Sequence, residues 1–145
     1  MKFLKVLAVM AIGVFALGSA TSYAKDVEHR IVFQVSSGDP VTQNLVLNNV
    51  ANVTKGLGPG NVTVEVVAYG PGLSILTAKN KKAAARVQGM AMNDDITFSA
   101  CHNTMLAIKK KTGHEPKLTK GVKIVPGGVV RIMHLQEQGY TYIRP

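Results

Sequence analysis

Apolar residues recur along this chain in two alternating rhythms. Ile31-Val32-Phe33-Gln34-Val35 is a short and nearly continuous apolar run closed by Ser36-Ser37-Gly38-Asp39-Pro40. Such a run, bounded by turn residues, reads as a strand covered on both faces. From Pro40 the period changes. Leu45, Val46, Asn49, Val50 and Val53 recur at helical spacing, with Asp39 placed as N-cap and Pro40 at the first turn. One member of that stripe, Asn49, is polar. Glycines from 56 to 60 end the helix. Residues 62–68 are a β-branched run and predict a second strand, and Tyr69-Gly70-Pro71-Gly72 predicts a turn.

The alternation then continues. Residues 73–92, rich in Ala and Lys, predict one long helix broken by Asp94-Asp95. Residues 96–100 predict a third strand, with Cys101 at its end. Residues 102–111 predict a helix closed by Thr112-Gly113, and residues 122–125 a fourth strand closed by Pro126-Gly127-Gly128. A helix over 129–138 follows, with Val130, Ile132 and Met133 facing inward, and residues 140–143 form a last strand after Gly139. Strands alternating with helices define an α/β fold of a single domain. About five mostly parallel strands form its sheet, and helices on both faces make three layers. Ligands of open parallel sheets bind beyond the carboxyl ends of the strands. That rule brings four loops to one edge, at 36–40, 69–73, 100–103 and 126–129, and Cys101 is in one of them.

The first residues follow a different pattern. Lys2 and Lys5 precede an uncharged apolar run from 6 to 17, and Ser22-Tyr23-Ala24 supplies a small-x-small site. This is the order of a cleavable secretory signal peptide over residues 1–24, leaving a domain of residues 25–145. The apolar run, about a dozen residues, is shorter than a bilayer-spanning helix requires. An uncleaved anchor is the competing reading, and the small residues favour cleavage. The expected location is the periplasm, with no stable membrane insertion after cleavage.

Composition changes the picture in two ways. The leader takes two lysines and no acid with it, so the formal charge falls from +9 to +7. Basic residues are scattered, as Lys79, Lys81, Lys82, Arg86 and the run from 109 to 111, and the chain has no Trp. Those features argue against nucleic acid and for anionic small molecules or an acidic partner protein. Cys101 is the one cysteine. In an oxidising compartment it cannot form an internal disulfide, so it is either packed as a small hydrophobe or kept for its chemistry.

If a helix starts near His102, Cys101 stands at its N-cap, where unpaired N–H groups and the positive dipole end favour the thiolate. Small residues before it and Asn103 and Thr104 after it leave room and donors around the sulfur. His102 is adjacent in sequence, which does not by itself turn its ring towards the sulfur. No HExxH, CxxC or P-loop occurs, and His29, His114 and His134 are isolated, so neither a metal nor another cofactor is expected. The Gly70 and Gly72 turn can cradle an anion through backbone N–H groups at the next helix start. Asn49, with Asn48 and Asn52 nearby, either bonds a loop at the site edge or satisfies backbone in the core.

Several stretches together resemble one family. They are Phe98-Ser99-Ala100-Cys101-His102-Asn103-Thr104, the strand 64–68 running into Tyr69-Gly70-Pro71-Gly72-Leu73, the stretch Leu47-Asn48-Asn49-Val50-Ala51-Asn52, and the ending Leu135-Gln136-Glu137-Gln138-Gly139-Tyr140-Thr141-Tyr142-Ile143-Arg144-Pro145. In this order they are similar to the DsrE/DsrF-like family. The resemblance implies a YchN-like fold, assembly as a homo-oligomer (trimer or hexamer), and sulfur relay through a persulfide on a cysteine. It places that cysteine at Cys101, with Asn103 and N–H groups near His102 stabilising the anionic sulfur. Joined to the leader, this makes the expected function that of an exported sulfur-carrier or sulfurtransferase-like protein, with a sulfur donor or acceptor protein as partner. The alternative is a non-catalytic oligomeric or small-ligand-binding module of the same fold.

Overall fold

Five β-branched or apolar segments become strands: β1 (His29–Val35), β2 (Val62–Ala68), β3 (Ile96–Cys101), β4 (Lys123–Val125) and β5 (Thr141–Ile143). The computed structural model describes residues 29–145, so the leader expected over 1–24 lies outside the described residues. Four α-helices connect the strands: α1 (Pro40–Leu57), α2 (Lys81–Met90), α3 (His102–Thr112) and α4 (Gly128–Glu137). Asp39 caps α1 by accepting the Thr42 N–H at 2.8 Å. Among the described residues no helix is long and apolar enough to cross a membrane.

The sheet order is β4-β3-β2-β1-β5, and every neighbouring pair is parallel. This order dictates where the helices go. A strand–crossover–strand unit is right-handed, so successive steps in one direction put their crossovers on one face. The steps β1 to β2, β2 to β3 and β3 to β4 run the same way, and their helices pack together on Ile31, Phe33, Val35, Val64, Val66 and Phe98. The step from β4 back to β5 runs the other way, across three strands. Its helix, α4, therefore lies alone on the opposite face, where Ile132 and Leu135 pack on Val32 and Val67. The result is a three-layer α/β fold with an uneven division of helices.

Three expectations are corrected. The helix expected over 73–92 is two elements, a 3₁₀ helix (Gly70–Leu76) and α2. Leu73, Ile75 and Leu76 are all fully buried. One stripe of an α-helix cannot bury positions at those offsets, since 75 lies about 200° from 73. Thr77 then bridges Leu118, and the Asn80 side chain starts α2 by accepting the Ala83 N–H. On α4, Val130 and Met133 face out at 52% exposure each, because Ile132, Leu135 and Gly128 take the sheet side. Leu45 is also exposed, and its place inside is taken by Gln43.

Candidate functional site

At the carboxyl edge of the sheet, β3 and β4 are neighbours whose outgoing loops part company. The chain leaves β3 for α3 on one face and leaves β4 for α4 on the other. A crevice opens where adjacent loops diverge in this way, at the switch point of the topology. Cys101 pairs with Val125 across that point. It is the last residue of β3 and the N-cap of α3. A cavity of about 180 Å³ lies there, lined by Tyr69, Cys101, Asn103, Thr104 and the start of α4.

Cys101 is 5% exposed. Burial is the largest single influence on its thiol and opposes ionisation. Hydrogen bonds act against burial and outweigh it: from the Thr104 hydroxyl, then from the N–H groups of Thr104, Gly128 and Asn103. The thiol is therefore held below the usual cysteine range. The Asn103 N–H contributes least and is shared with the Pro126 carbonyl at 3.3 Å. Thr104 Oγ1 also accepts the Gly70 N–H at 2.9 Å, which ties the Gly70 turn to the start of α3. Donors from two helix starts thus converge on one sulfur atom.

Gly128 lets α4 come this close. A Cβ there would stand 2.9 Å from Tyr69 Cδ1 and 3.0 Å from Tyr69 Cβ, so a side chain would push the helix start away. Deeper on the same face, Glu65 is 3% exposed. Arg131 of α4 clamps its carboxylate with two bonds, Nε to Oε1 at 2.8 Å and Nη2 to Oε2 at 2.6 Å. Ser99 Oγ donates to Oε1 at 2.6 Å. Ser99 and Cys101 alternate along β3 and share the α4 face. The ion pair therefore moors the helix whose first N–H groups reach Cys101.

The expected site residues meet four different outcomes. Cys101, Asn103 and Gly70 are brought together, Gly70 through Thr104. His102 is exposed on the first turn of α3. Gly72 is buried against β1, where a Cβ would sit 2.2 Å from the Val35 carbonyl oxygen, so its role is close packing. Asn49 is half-buried on α1, about 13 Å along the helix from Pro40 at 1.5 Å per residue, and does not line the cavity. The loop-binding amide on α1 is Gln43 instead. Its Nε2 donates to the Ser37 carbonyl at 3.0 Å and to Ser74 Oγ at 2.7 Å. Thr104, read from the sequence as a donor beside the sulfur, lines the cavity, whereas Gly128, Tyr69, Glu65 and Arg131 were not singled out from the sequence. Glu65 carried a signal, as a charge inside a β-branched run needs a buried partner. Among the described residues no three His, Cys, Asp or Glu side chains converge to hold a metal.

Comparison with known proteins adds three findings. The family model described as DsrE/DsrF-like family matches residues 29–145. A solved structure, a protein of unknown function, MTH1491 from Methanobacterium thermoautotrophicum, is 32% identical with a TM-score of 0.70. The match covers 81% of this chain and 99% of that one. No curated protein matches.

Proposed function

Since the chain belongs to the DsrE/DsrF-like family, a family linked to sulfur relay, we propose that it is a sulfur carrier that holds sulfane sulfur as a persulfide on Cys101. The observation that carries this reading is the set of donors around one partly shielded sulfur. The Thr104 hydroxyl and the N–H groups of Thr104, Gly128 and Asn103 favour the thiolate, and the thiolate is the reactive form. In the transfer step, the Cys101 thiolate attacks the outer sulfur of a donor persulfide, R–S–SH. The new S–S bond forms as the donor's S–S bond breaks, R–S⁻ leaves with the electron pair, and the proton stays on the transferred sulfur. No oxidant is required. The cavity of about 180 Å³ beside Cys101 has room for the added atom and its incoming partner.

The carrier is exported to the periplasm by the leader at residues 1–24, a reading supported by its basic, apolar and small-residue order. It works as a homo-oligomer, trimer or hexamer. Val129, Val130 and Met133 support this, as apolar side chains on α4 that stand more than half exposed beside the site. Light scattering on the purified protein tests the assembly. Intact and peptide mass spectrometry after treatment with thiosulfate or glutathione persulfide tests the chemistry. A gain of one sulfur atom on the Cys101 peptide, reversed by thiols, is the expected result. If Cys101 stays unmodified while a control persulfide-forming protein is labelled, the reading fails.

A further inference from the structure

A second cavity is larger than the one beside Cys101. A cleft of about 600 Å³ opens between α3 and the Gly70–Leu76 helix, closed at one end by the loop from 114 to 117. Its size is that of a small-molecule site. Pro71, Ala107, Ile108 and Pro116 line it with apolar surface. Its hydroxyl groups are occupied by the protein itself: Ser74 donates to the Pro71 carbonyl, Thr77 to Ser74, and Thr112 to the Ile108 carbonyl. The Thr104 hydroxyl accepts the Gly70 N–H. A sugar-like ligand would find few free partners there.

What the cleft does offer is positive charge. Lys79, Lys111 and Lys117 line it and make no ion pair among the described residues. The one carboxylate at the rim, Glu115, is paired with Lys109 at 3.1 Å. The lining contains no Phe, Tyr or Trp on which a nucleobase would stack.

We propose that this cleft binds a small aliphatic anion, with its apolar body on Ala107 and Ile108 and its carboxylate or sulfonate held by Lys111 and Lys117. Thr104 lines both this cleft and the Cys101 cavity, so the occupant sits one side chain away from the thiol. The proposal stands independently of persulfide chemistry, and a Cys101→Ser variant should bind the same ligands.

Sodium octanoate and octane-1-sulfonate are suitable probes, with octanamide as the uncharged comparison. In titrations of the purified protein followed by amide chemical shifts, both anions should saturate in the millimolar range or below, with the largest shifts around Ala107 and Ile108. Octanamide should bind about tenfold more weakly, the combined effect of two partly screened charges. The Lys111→Gln/Lys117→Gln variant, altered only at exposed positions, should lose that difference and keep octanamide binding. Ala107→Trp should block all three probes. Equal binding of octanoate and octanamide, insensitivity to the lysine substitutions, shifts centred elsewhere, or no saturation at millimolar concentration would each overturn the proposal.

Discussion

Replacing Arg131 by Met isolates the interaction that moors α4. The substitution leaves the Glu65 carboxylate in place, its side chain 4% exposed, with the Ser99 hydroxyl as its remaining side-chain donor among the described residues. Stripping one partner from a buried ion pair costs roughly 3–5 kcal/mol, because the other charge stays desolvated. The Arg131 side chain is 35% exposed, so water screens part of the attraction and the lower end applies, about 3 kcal/mol. For a domain of this size that corresponds to a fall of roughly 10 °C in Tm. Glu65→Met removes the buried charge instead and leaves an arginine that can reach solvent, so it should cost less. The double variant, with both charges gone and similar volume, should be more stable than Arg131→Met alone. Urea unfolding followed by far-UV circular dichroism gives all four free energies, with equal m-values as the condition for comparing them. If Arg131→Met costs less than about 1 kcal/mol, or if the two substitutions simply add, the pair is not a buried clamp and the reasoning fails.

Four further expectations follow from the site. Gly128→Ala should push the α4 start off Tyr69 and weaken the Gly128 N–H bond to Cys101, slowing iodoacetamide alkylation at neutral pH; an unchanged rate would remove α4 from the site. Thr104→Val should slow alkylation in the same assay and Thr104→Ser should restore it, because the hydroxyl is the donor. The native Cys101 pKa is lowered, so its contribution to stability is complete above the ordinary cysteine value and is lost as pH falls through the native value. The stability gap between wild type and Cys101→Ser should therefore widen as pH rises through that window, and a flat gap in pH-dependent denaturation would contradict the hydrogen-bond set. Gly72→Ala should destabilise by about 3 kcal/mol in chemical denaturation, since its Cβ would lie 2.2 Å from a backbone oxygen that cannot move aside; a cost within 0.5 kcal/mol would contradict the packing.

The parallel sheet was readable because its strands are buried on both faces. β2 has the limits the apolar run predicted, and the punctuation by Asp39-Pro40, Asp94-Asp95 and Gly139 located most element ends. Residues 73–92 misled because helix propensity is local, whereas Thr77 leaves the helix to meet Leu118, far away in sequence. Val130 and Met133 misled for another reason. Periodicity marks a stripe on α4 but not which of two apolar stripes meets the sheet. Asn49 drew notice as a polar member of an apolar stripe, while Gln43, which holds the loop, shares the buried stripe with Val46, Leu47 and Val50 at its amino-terminal end, ahead of the first apolar member. At the site, the position of Cys101 was legible from element order alone. Asn103 and Thr104 were legible as donors beside it, but Gly128 was not, because it meets the sulfur only when α3 and α4 start on opposite faces of the sheet.

The lone helix over one face also sets when the thiol acquires its character. Tyr69, Cys101 and Gly128 come from three successive junctions, and α4 and β5 are the last parts of the chain to be synthesised. β5 pairs with β1, the first strand, so the chain end closes the sheet beyond its beginning. A nascent chain that ends before residue 128 lacks both the Gly128 N–H and the Arg131 clamp, and Cys101 keeps only the donors of its own helix start. The surroundings of Cys101 are therefore complete only once the carboxyl-terminal segment has docked.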